Sequence, residues 1–184
     1  MNPSLSRFVI LVGPRGSGKT TLGHALARAI DSPVYDTDRM VEERTGEPVA
    51  RLWERDGEGA FRAWESRVLA ALSGLPPGVV STGGGIILDP ANRKILAEMG
   101  PVFYLHVPVD QLVGRLAHAY EKRPRLKADV PLSEEIRQVS LERDPLYRQV
   151  ATHVVETGGN SIAATVEEIL KLLRLAGSPE GGTP

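Results

Sequence analysis

A glycine-rich loop, G-P-R-G-S-G-K-T at residues 13–20, directly follows the apolar run Phe8 to Val12. The loop matches the pattern GxxxxGK(S/T), in which glycines let the backbone turn so that successive N–H groups point into one concavity. Such a concavity holds the phosphate groups of a nucleotide. Because the motif requires a strand before it and a helix after it, it predicts an α/β architecture from the first twenty residues.

Side chains at the end of this loop are suited to phosphate and metal binding. Lys19 can reach the β- and γ-phosphates of a nucleotide, and the Thr20 hydroxyl can join the coordination shell of Mg²⁺. The segment from Thr20 to Ile30 carries apolar residues on one face. It therefore predicts a helix whose positive N-terminal end points at the bound anion.

The composition is that of one globular domain. The chain has 184 residues, of which 41% are hydrophobic and 24% charged, enough for one substantial core. Its net charge of −1 gives no general basic surplus for nucleic acids, and the absence of cysteine excludes disulfides and thiolate chemistry. Since no apolar stretch approaches ~20 residues and no secretory leader is seen, we expect a cytoplasmic protein that does not bind membranes. The charge predicts that it does not bind nucleic acids, and a monomer is the expected state.

Short apolar runs alternate with helix-sized stretches along the chain. The runs are mostly apolar and are separated by helical patterns, which predicts parallel strands covered by helices on both faces. The five runs are Phe8 to Val12, Val34-Tyr35, Val79-Val80, Val102 to Leu105 and Val154-Val155. The predicted fold class is therefore α/β.

Cap residues and apolar spacing predict three further helices. Asp89 and Pro90 suit the cap and first position of a helix that continues to Met99, and Ser133, followed by two glutamates, predicts the start of another. The last helix carries a core-facing stripe at spacings of three and four. The stripe consists of Ile162, Val166, Ile169, Leu170 and Leu173. The Gly/Pro-rich residues 177–184 are predicted to form a disordered tail.

Two carboxylates, Asp36 and Asp38, follow the second predicted strand. The carboxyl end of a parallel strand is where ligands bind in an open α/β sheet. In a phosphoryl-transfer enzyme one carboxylate would hold Mg²⁺ or its water, and the other would accept the proton of the attacking hydroxyl. The alternative is structural, because Asp38 is equally suited to cap a helix from Arg39 to Thr45.

A second glycine cluster, Ser81 to Gly85, follows the third predicted strand. It is either the loop of a second substrate site, where bare backbone can approach a ligand closely, or a plain turn. Arg62 also has two interpretations. It lies one helical turn from Glu58 and Glu65, which suits a surface ion pair, but its guanidinium equally suits a bidentate clamp on a carboxylate.

Basic residues cluster in and just before residues 119–131, a segment without helical periodicity. They are Arg115, Lys122, Arg123, Arg125 and Lys127. In a kinase such a segment would be a lid that closes over the phosphates and excludes water. The alternative is a solvated basic loop.

Together these motifs resemble the shikimate kinase family, most closely its bacterial type II form, from about Phe8 to Leu173. The resemblance rests on the order and spacing of G-P-R-G-S-G-K-T-T, Y-D-T-D, G-E-G-A-F-R-A-W-E, S-T-G-G-G-I-I-L and L-S-E-E-I-R-Q-V-S-L-E-R-D-P-L-Y-R-Q-V-A. It implies a nucleoside-monophosphate-kinase-like three-layer α/β/α sandwich with a five-stranded parallel sheet. The single P-loop domain would span residues 1–176, with a substrate-binding region at about 36–72 and a lid at about 119–131.

The resemblance implies an enzyme that transfers the γ-phosphoryl group of ATP to the 3-hydroxyl of shikimate, on the route to chorismate and the aromatic amino acids. Its partners would be ATP and shikimate, and its metal Mg²⁺. Two alternatives are another small-metabolite kinase, acting on gluconate or a nucleotide, and a non-catalytic nucleotide-binding regulator.

The resemblance also assigns roles position by position. The catalytic residues would be Lys19, Asp38 as base and Arg123 as the lid arginine. ATP would be bound by Gly13, Gly16, Ser17, Gly18, Lys19, Thr20, Thr21, Arg115 and Arg123. Shikimate would be bound by Asp38, Arg62, Gly83, Gly84, Gly85 and Arg143, with the two arginines on its carboxylate. Mg²⁺ would be held by Thr20 and Asp36.

Overall fold

The computed structural model describes residues 6–117 and 130–177. Within these ranges five parallel strands form one sheet in the order β2-β3-β1-β4-β5. The strands are β1 (Val9–Val12), β2 (Val34–Asp36), β3 (Val79–Ser81), β4 (Val102–His106) and β5 (His153–Glu156). Each departs from its predicted apolar run by at most one residue at either end, so the predicted five-stranded parallel sheet is confirmed.

Helices connect the strands within the described ranges. They are α1 (Lys19–Ala29), α2 (Thr37–Thr45), α3 (Val49–Ala71), α4 (Pro90–Met99), α5 (Val109–Ala117), α6 (Leu132–Val150) and α7 (Ile162–Gly177). Two short 3-10 turns, Leu72–Gly74 and Ile86–Leu88, lie before β3 and before α4. The alternation of strand and helix along the chain is therefore the one that the apolar runs predict.

The sheet is packed on both faces, and β1 shows why its sequence is continuously apolar. Ile10 and Val12 belong to a cluster with residues of α3, α4 and α6, whereas Val9 and Leu11 belong to a second cluster with residues of α1 and α7. Successive strand residues point to opposite faces, so a central strand between two helical layers needs an apolar residue at every position. The three-layer α/β/α sandwich is confirmed.

The start of α2 differs from the prediction. Its cap is Asp36, whose Oδ1 accepts hydrogen bonds from the N–H groups of Asp38 (3.1 Å) and Arg39 (3.2 Å). Asp36 ends β2 with extended backbone, the conformation that an N-cap requires. Asp38 already lies in the first turn of the helix, so the interpretation of Asp38 as the cap is wrong.

Two details at helix starts also differ. Helix α6 begins after Pro131, whose carbonyl accepts the N–H of Glu135 at 2.9 Å, so Ser133 lies inside the first turn instead of capping it. In α7, Val166 and Ile169 are buried as predicted, but Ile162 is 47% exposed because it is the first residue of the helix. The predicted cap of α4 is confirmed, since Asp89 accepts the N–H of Ala91 at 2.8 Å.

Part of the predicted organisation falls outside the described residues. The lid at 119–131 does so except for its last two residues, and so do Arg123 and Arg125. Helix α7 continues to Gly177, and the rest of the predicted tail, 178–184, also lies outside. In the described part of the chain, every helix is too short or too polar to cross a membrane. The domain limits remain predictions.

Candidate active site

The loop after β1 has the backbone conformation that its glycines predict. Gly13, Gly16 and Gly18 all have positive φ angles, of 150°, 81° and 89°. A Cβ on Gly13 would lie 2.8 Å from the carbonyl oxygen of Leu105, so this position admits no side chain. Gly18 is the N-cap of α1, and the N-terminus of that helix therefore points into the loop, where it favours a bound anion.

Lys19 is held over the concavity of the loop. Its Nζ donates to the carbonyl oxygens of Gly13 and Pro14, both at 2.8 Å, and lies 3.3 Å from Ser17 Oγ. The side chain is buried, with 8% of the residue exposed. These contacts fix a positive charge where the motif places the β- and γ-phosphates.

Thr20 and Asp36 form a pair of oxygen donors beside the loop. Thr20 Oγ1 donates to Asp36 Oδ2 at 2.9 Å, while the other oxygen of Asp36 caps α2. Hydroxyl and carboxylate oxygens suit Mg²⁺, which keeps several waters and phosphate ligands of its own. The described residues contain no cluster of three or more His, Cys, Asp or Glu that could form a complete protein cage. The donors present therefore fit Mg²⁺ bound together with a nucleotide.

A cavity of about 390 Å³ opens over the phosphate loop, and we call it the donor cavity. Arg115, on α5, lines it and donates to the carbonyl oxygens of Gly16 (3.1 Å) and Thr157 (3.3 Å). Six residues predicted to bind ATP line the cavity: Gly16, Gly18, Lys19, Thr20, Thr21 and Arg115. Gly13 and Ser17 lie in the same loop but not in the cavity lining.

A second cavity, of about 120 Å³, lies between the segment formed by α2 and α3 and the segment formed by α5 and α6. We call it the acceptor cavity. Its walls are largely apolar, and charged residues line it from the phosphate loop, α2, α3 and α6. Five of the six residues predicted to bind the second substrate line it: Asp38, Arg62, Gly84, Gly85 and Arg143.

Arg62 is held by two glutamates at the wall of the acceptor cavity. Its guanidinium pairs with Glu58, at 3.0 Å from Nη2 to Oε1, and with Glu65. The same group lies 5.4 Å from the centre of the Trp53 ring and 5.2 Å from that of Phe61, within the range of cation–π attraction. The Arg62 side chain is only 22% exposed, so its guanidinium is a fixed positive charge at the wall of the acceptor cavity and not a surface ion pair.

The second glycine cluster makes room for these charged groups. A Cβ on Gly85 would collide with the guanidinium of Arg62, and a Cβ on Gly83 would collide with the carboxylates of Asp38 and Glu65. Gly83 lies outside the cavity lining, next to the residues that form it. Its N–H donates to Thr37 Oγ1 at 2.8 Å. Glycine is therefore required at Gly83 and Gly85 by these neighbouring side chains, while a role of the cluster in binding substrate stays a prediction.

Glu65 is a site residue that sequence reasoning named only as a possible ion-pair partner. It is 1% exposed, and among the described residues its Oε1 has no hydrogen-bond partner. Burial raises the pKa of Glu65 to about 7; Arg62 and Arg143 oppose this rise, and Asp38 adds to it. Its spacing of three residues from Arg62 on an inward-facing helix was the available signal.

Arg143 and Tyr147 tie α6 to the second glycine cluster. Both donate to the carbonyl oxygen of Gly84, Arg143 from Nη1 at 3.3 Å and Tyr147 from its hydroxyl at 2.5 Å. Burial raises the pKa of Tyr147 to about 12, so the hydroxyl keeps its proton and remains a donor at neutral pH. Sequence reasoning did not select Tyr147, although it lies one helical turn after Arg143.

The fold and the two cavities together define a class of protein. A phosphate loop with a held lysine and a pair of Mg²⁺-suited oxygens binds a nucleoside triphosphate. The adjoining cavity is lined by three arginines, Arg15, Arg62 and Arg143, and by the carboxylates of Asp38, Glu65 and Glu135, a set of charges that suits a small hydroxylated acid. Such an arrangement is that of a P-loop kinase for a small anionic metabolite.

Comparisons with known proteins identify the family. The family model described as shikimate kinase matches residues 15–174. The chain is 42% identical to a shikimate kinase of Nitrosococcus oceani, over 96% of this chain and 90% of the relative, and 45% identical to shikimate kinase 2 of Enterobacter sp. strain 638, over 94% and 98%. The chain belongs to the shikimate kinase family, and it is an enzyme that phosphorylates shikimate with ATP.

A solved structure agrees with this assignment. The shikimate kinase from Acinetobacter baumannii in complex with shikimate superposes with a TM-score of 0.87, at 35% identity, over 93% of this chain and 94% of that one. The fold and family predicted from the sequence are thereby confirmed. The comparisons say nothing about individual side chains, so the residue roles rest on the geometry above.

Proposed function

We propose that the donor cavity binds MgATP, that the acceptor cavity binds shikimate, and that Asp38 accepts the proton of the shikimate 3-hydroxyl during transfer. The observation that carries this proposal is that Asp38 lines both cavities. A base for this reaction must lie within reach of the acceptor hydroxyl while that hydroxyl faces the γ-phosphate. Asp38 is the only carboxylate of the described residues that lines both cavities, which supports this role.

The acceptor cavity matches a cyclic hydroxylated acid. Arg62 and Arg143 provide positive charge for the carboxylate, and arginine forms the bidentate hydrogen bonds that a carboxylate best accepts. Trp53 and Phe61 offer flat apolar surfaces to a ring. Because Glu58 and Glu65 hold Arg62 before substrate binds, little side-chain freedom is lost on binding.

The chemical step follows from these positions. A bond forms between the shikimate 3-oxygen and the γ-phosphorus, and the bond from that phosphorus to the β,γ-bridging oxygen breaks, so the electron pair leaves with ADP. The hydroxyl proton passes to the carboxylate of Asp38. Lys19, held at the loop, stabilises the negative charge that builds on the phosphates.

Thr20 and Asp36 are the residues that would hold Mg²⁺. When bound, the ion neutralises charge on the β- and γ-phosphates and orients them. Arg123 is proposed to reach the phosphates from the lid, a role that the described residues leave open. A monomeric state and a cytoplasmic location also remain predictions.

Two substitutions test the assigned roles. Asp38→Asn removes the base without changing its size, and Arg62→Ala removes a carboxylate ligand. We expect Asp38→Asn to lower kcat by about 10²–10⁴-fold, the usual contribution of a general base, and Arg62→Ala to raise the KM for shikimate at least tenfold. Affinity for ADP, measured by calorimetry, should stay within a few-fold in both. An equal loss of nucleotide affinity would contradict the separation of the two cavities.

A further inference from the structure

The donor and acceptor cavities meet at a common wall. Four of the residues that line them belong to both cavities: Arg15, Asp38, Gly84 and Leu116. The phosphoryl group must pass this wall if the two cavities hold the two substrates, as proposed above. Asp38 and Arg15 are its charged members, and only Asp38 has a role so far.

Arg15 is fixed at this wall by its backbone. It lies in the phosphate loop, two residues after Gly13, and the loop packs directly against the second glycine cluster. A Cβ on Gly84 would lie 3.4 Å from Arg15 N and 3.4 Å from the carbonyl oxygen of Gly13. Because the two loops lie close together, the half-buried Arg15 side chain starts at the boundary between the cavities.

Each of the other cationic residues lines only one of the two cavities. Lys19 and Arg115 line only the donor cavity, where they donate to carbonyl oxygens of the phosphate loop. Arg62 and Arg143 line only the acceptor cavity, where they contact Glu65 and the carbonyl oxygen of Gly84. Within the described residues, Arg15 is thus the cation common to both linings.

We propose that Arg15 is a catalytic residue whose guanidinium contacts the phosphoryl group in transit. The inference rests on the proposed function of the two cavities. In transit the phosphoryl group carries negative charge on its equatorial oxygens, while its bond to the ADP oxygen breaks and its bond to the acceptor oxygen forms. Arginine, with its planar fork of donors, suits this charge, and a cation supplied at this point acts mainly on the transition state.

The test compares Arg15→Met, which keeps length and removes charge, with Arg15→Lys, which keeps charge and removes the fork. We expect Arg15→Met to lower kcat about 100-fold or more, the effect of losing a transition-state donor, with both KM values within about threefold of the original. The kcat of Arg15→Lys should be at least tenfold higher than that of Arg15→Met. Arg28→Met, on the exposed face of α1, is the matched control and should keep full activity.

A second readout separates chemistry from folding. ADP with aluminium fluoride and shikimate mimics the transferring phosphoryl group, and a transition-state mimic binds more tightly than the ground-state ligands. We expect the gain in ADP affinity on adding aluminium fluoride to be lost in Arg15→Met, while affinity for ADP alone is kept. Retained ADP binding also shows that the variant is folded.

Three results would overturn the inference. They are a kcat within fivefold of the original in Arg15→Met, a rise in the KM for ATP or shikimate that accounts for the whole loss, or an unchanged aluminium fluoride effect. Failure of the proposed function is distinguishable, because Asp38→Asn would then keep its kcat and Arg62→Ala its KM for shikimate, whatever the result for Arg15→Met.

Discussion

At the scale of single residues, Gly85 controls whether Arg62 can occupy its place. Its φ of −103° is open to any residue, so the reason for glycine lies in the contact and not in the backbone. The Arg62 guanidinium lies directly against its Cα. A side chain at Gly85 must therefore displace the arginine.

Gly85→Ala should expel the Arg62 guanidinium from the acceptor cavity and leave the fold intact. We expect the KM for shikimate to rise at least tenfold, while ADP affinity changes less than threefold. The control is Gly74→Ala, because a Cβ at Gly74 meets no atom within 4 Å and lies outside both cavities. An unchanged KM in Gly85→Ala would show that Arg62 is not needed in this position.

Glu65 should make stability depend on pH. Burial raises its pKa from 4.5 to about 7. Between these values the folded protein keeps the proton that the unfolded chain has lost, so the folded state binds more protons. The stability that Glu65 contributes is therefore complete below about pH 4.5 and is lost as the pH rises through about 7.

Glu65→Gln cannot lose a proton and should lack this dependence. Urea unfolding at pH 5 and pH 7.5 gives the free energy of unfolding of the variant minus that of the original protein. We expect this difference to be larger at pH 7.5 than at pH 5. The increase should be on the order of 2 kcal/mol. Parallel pH profiles for the two proteins would contradict the raised pKa.

The sequence could identify charged residues at this scale but not their mutual contacts. Arg62, Asp38 and Arg143 were predicted because each lies in a motif. Glu65 and Tyr147 were missed, because their importance arises from burial beside residues that are distant in sequence, such as Asp38 and Gly84. Burial and long-range contact are set by the fold and have no local pattern.

At the scale of elements, α3 is built from two helical segments joined at Gly57. That residue has φ 81° and ψ 176°, a combination that only glycine adopts without strain. Trp53 and Phe61 are eight residues apart, which in a straight helix is ~12 Å along the axis, yet their ring centres are 5.5 Å apart. The break brings the two rings together around Arg62.

Gly57→Ala should strain or straighten this break. A Cβ there meets no atom within 4 Å, so the effect comes from the backbone alone. We expect the free energy of unfolding to fall by about 1–3 kcal/mol and the KM for shikimate to rise, measured by urea unfolding and steady-state kinetics. Gly59→Ala, also in open space but without a positive φ, is the matched control and should stabilise α3 by up to ~1 kcal/mol.

The elements themselves were largely predictable, since strand runs and helix stripes are local patterns. The cap of α2 could not be predicted from the sequence. Asp36 and Asp38 are chemically equivalent candidates, and only the end of β2 decides between them. The break at Gly57 was not predicted either, because the rest of its segment has the composition of one continuous helix.

At the scale of the whole molecule, the site lies at the carboxyl end of the parallel sheet. Strand β1 is flanked by β3 and β4 and runs directly into the phosphate loop, while β2 and β3 end at Asp36 and at the second glycine cluster. Ligands of open α/β sheets bind where the strand order reverses. This topology brings residues from positions 14 to 147 into two adjoining cavities.

The proposed function is transfer of the γ-phosphoryl group of ATP to shikimate between these two cavities. The most direct measurement is ADP release in a coupled assay with MgATP and either shikimate, gluconate or nucleoside monophosphates. We expect saturable, stoichiometric ADP release with shikimate and at least 10³-fold lower kcat/KM with the others. Gluconate has a carboxylate but no ring to pack on Trp53 and Phe61, and nucleoside monophosphates have no carboxylate for Arg62 and Arg143. Comparable turnover of gluconate or a nucleotide, or none with shikimate, would contradict the claim.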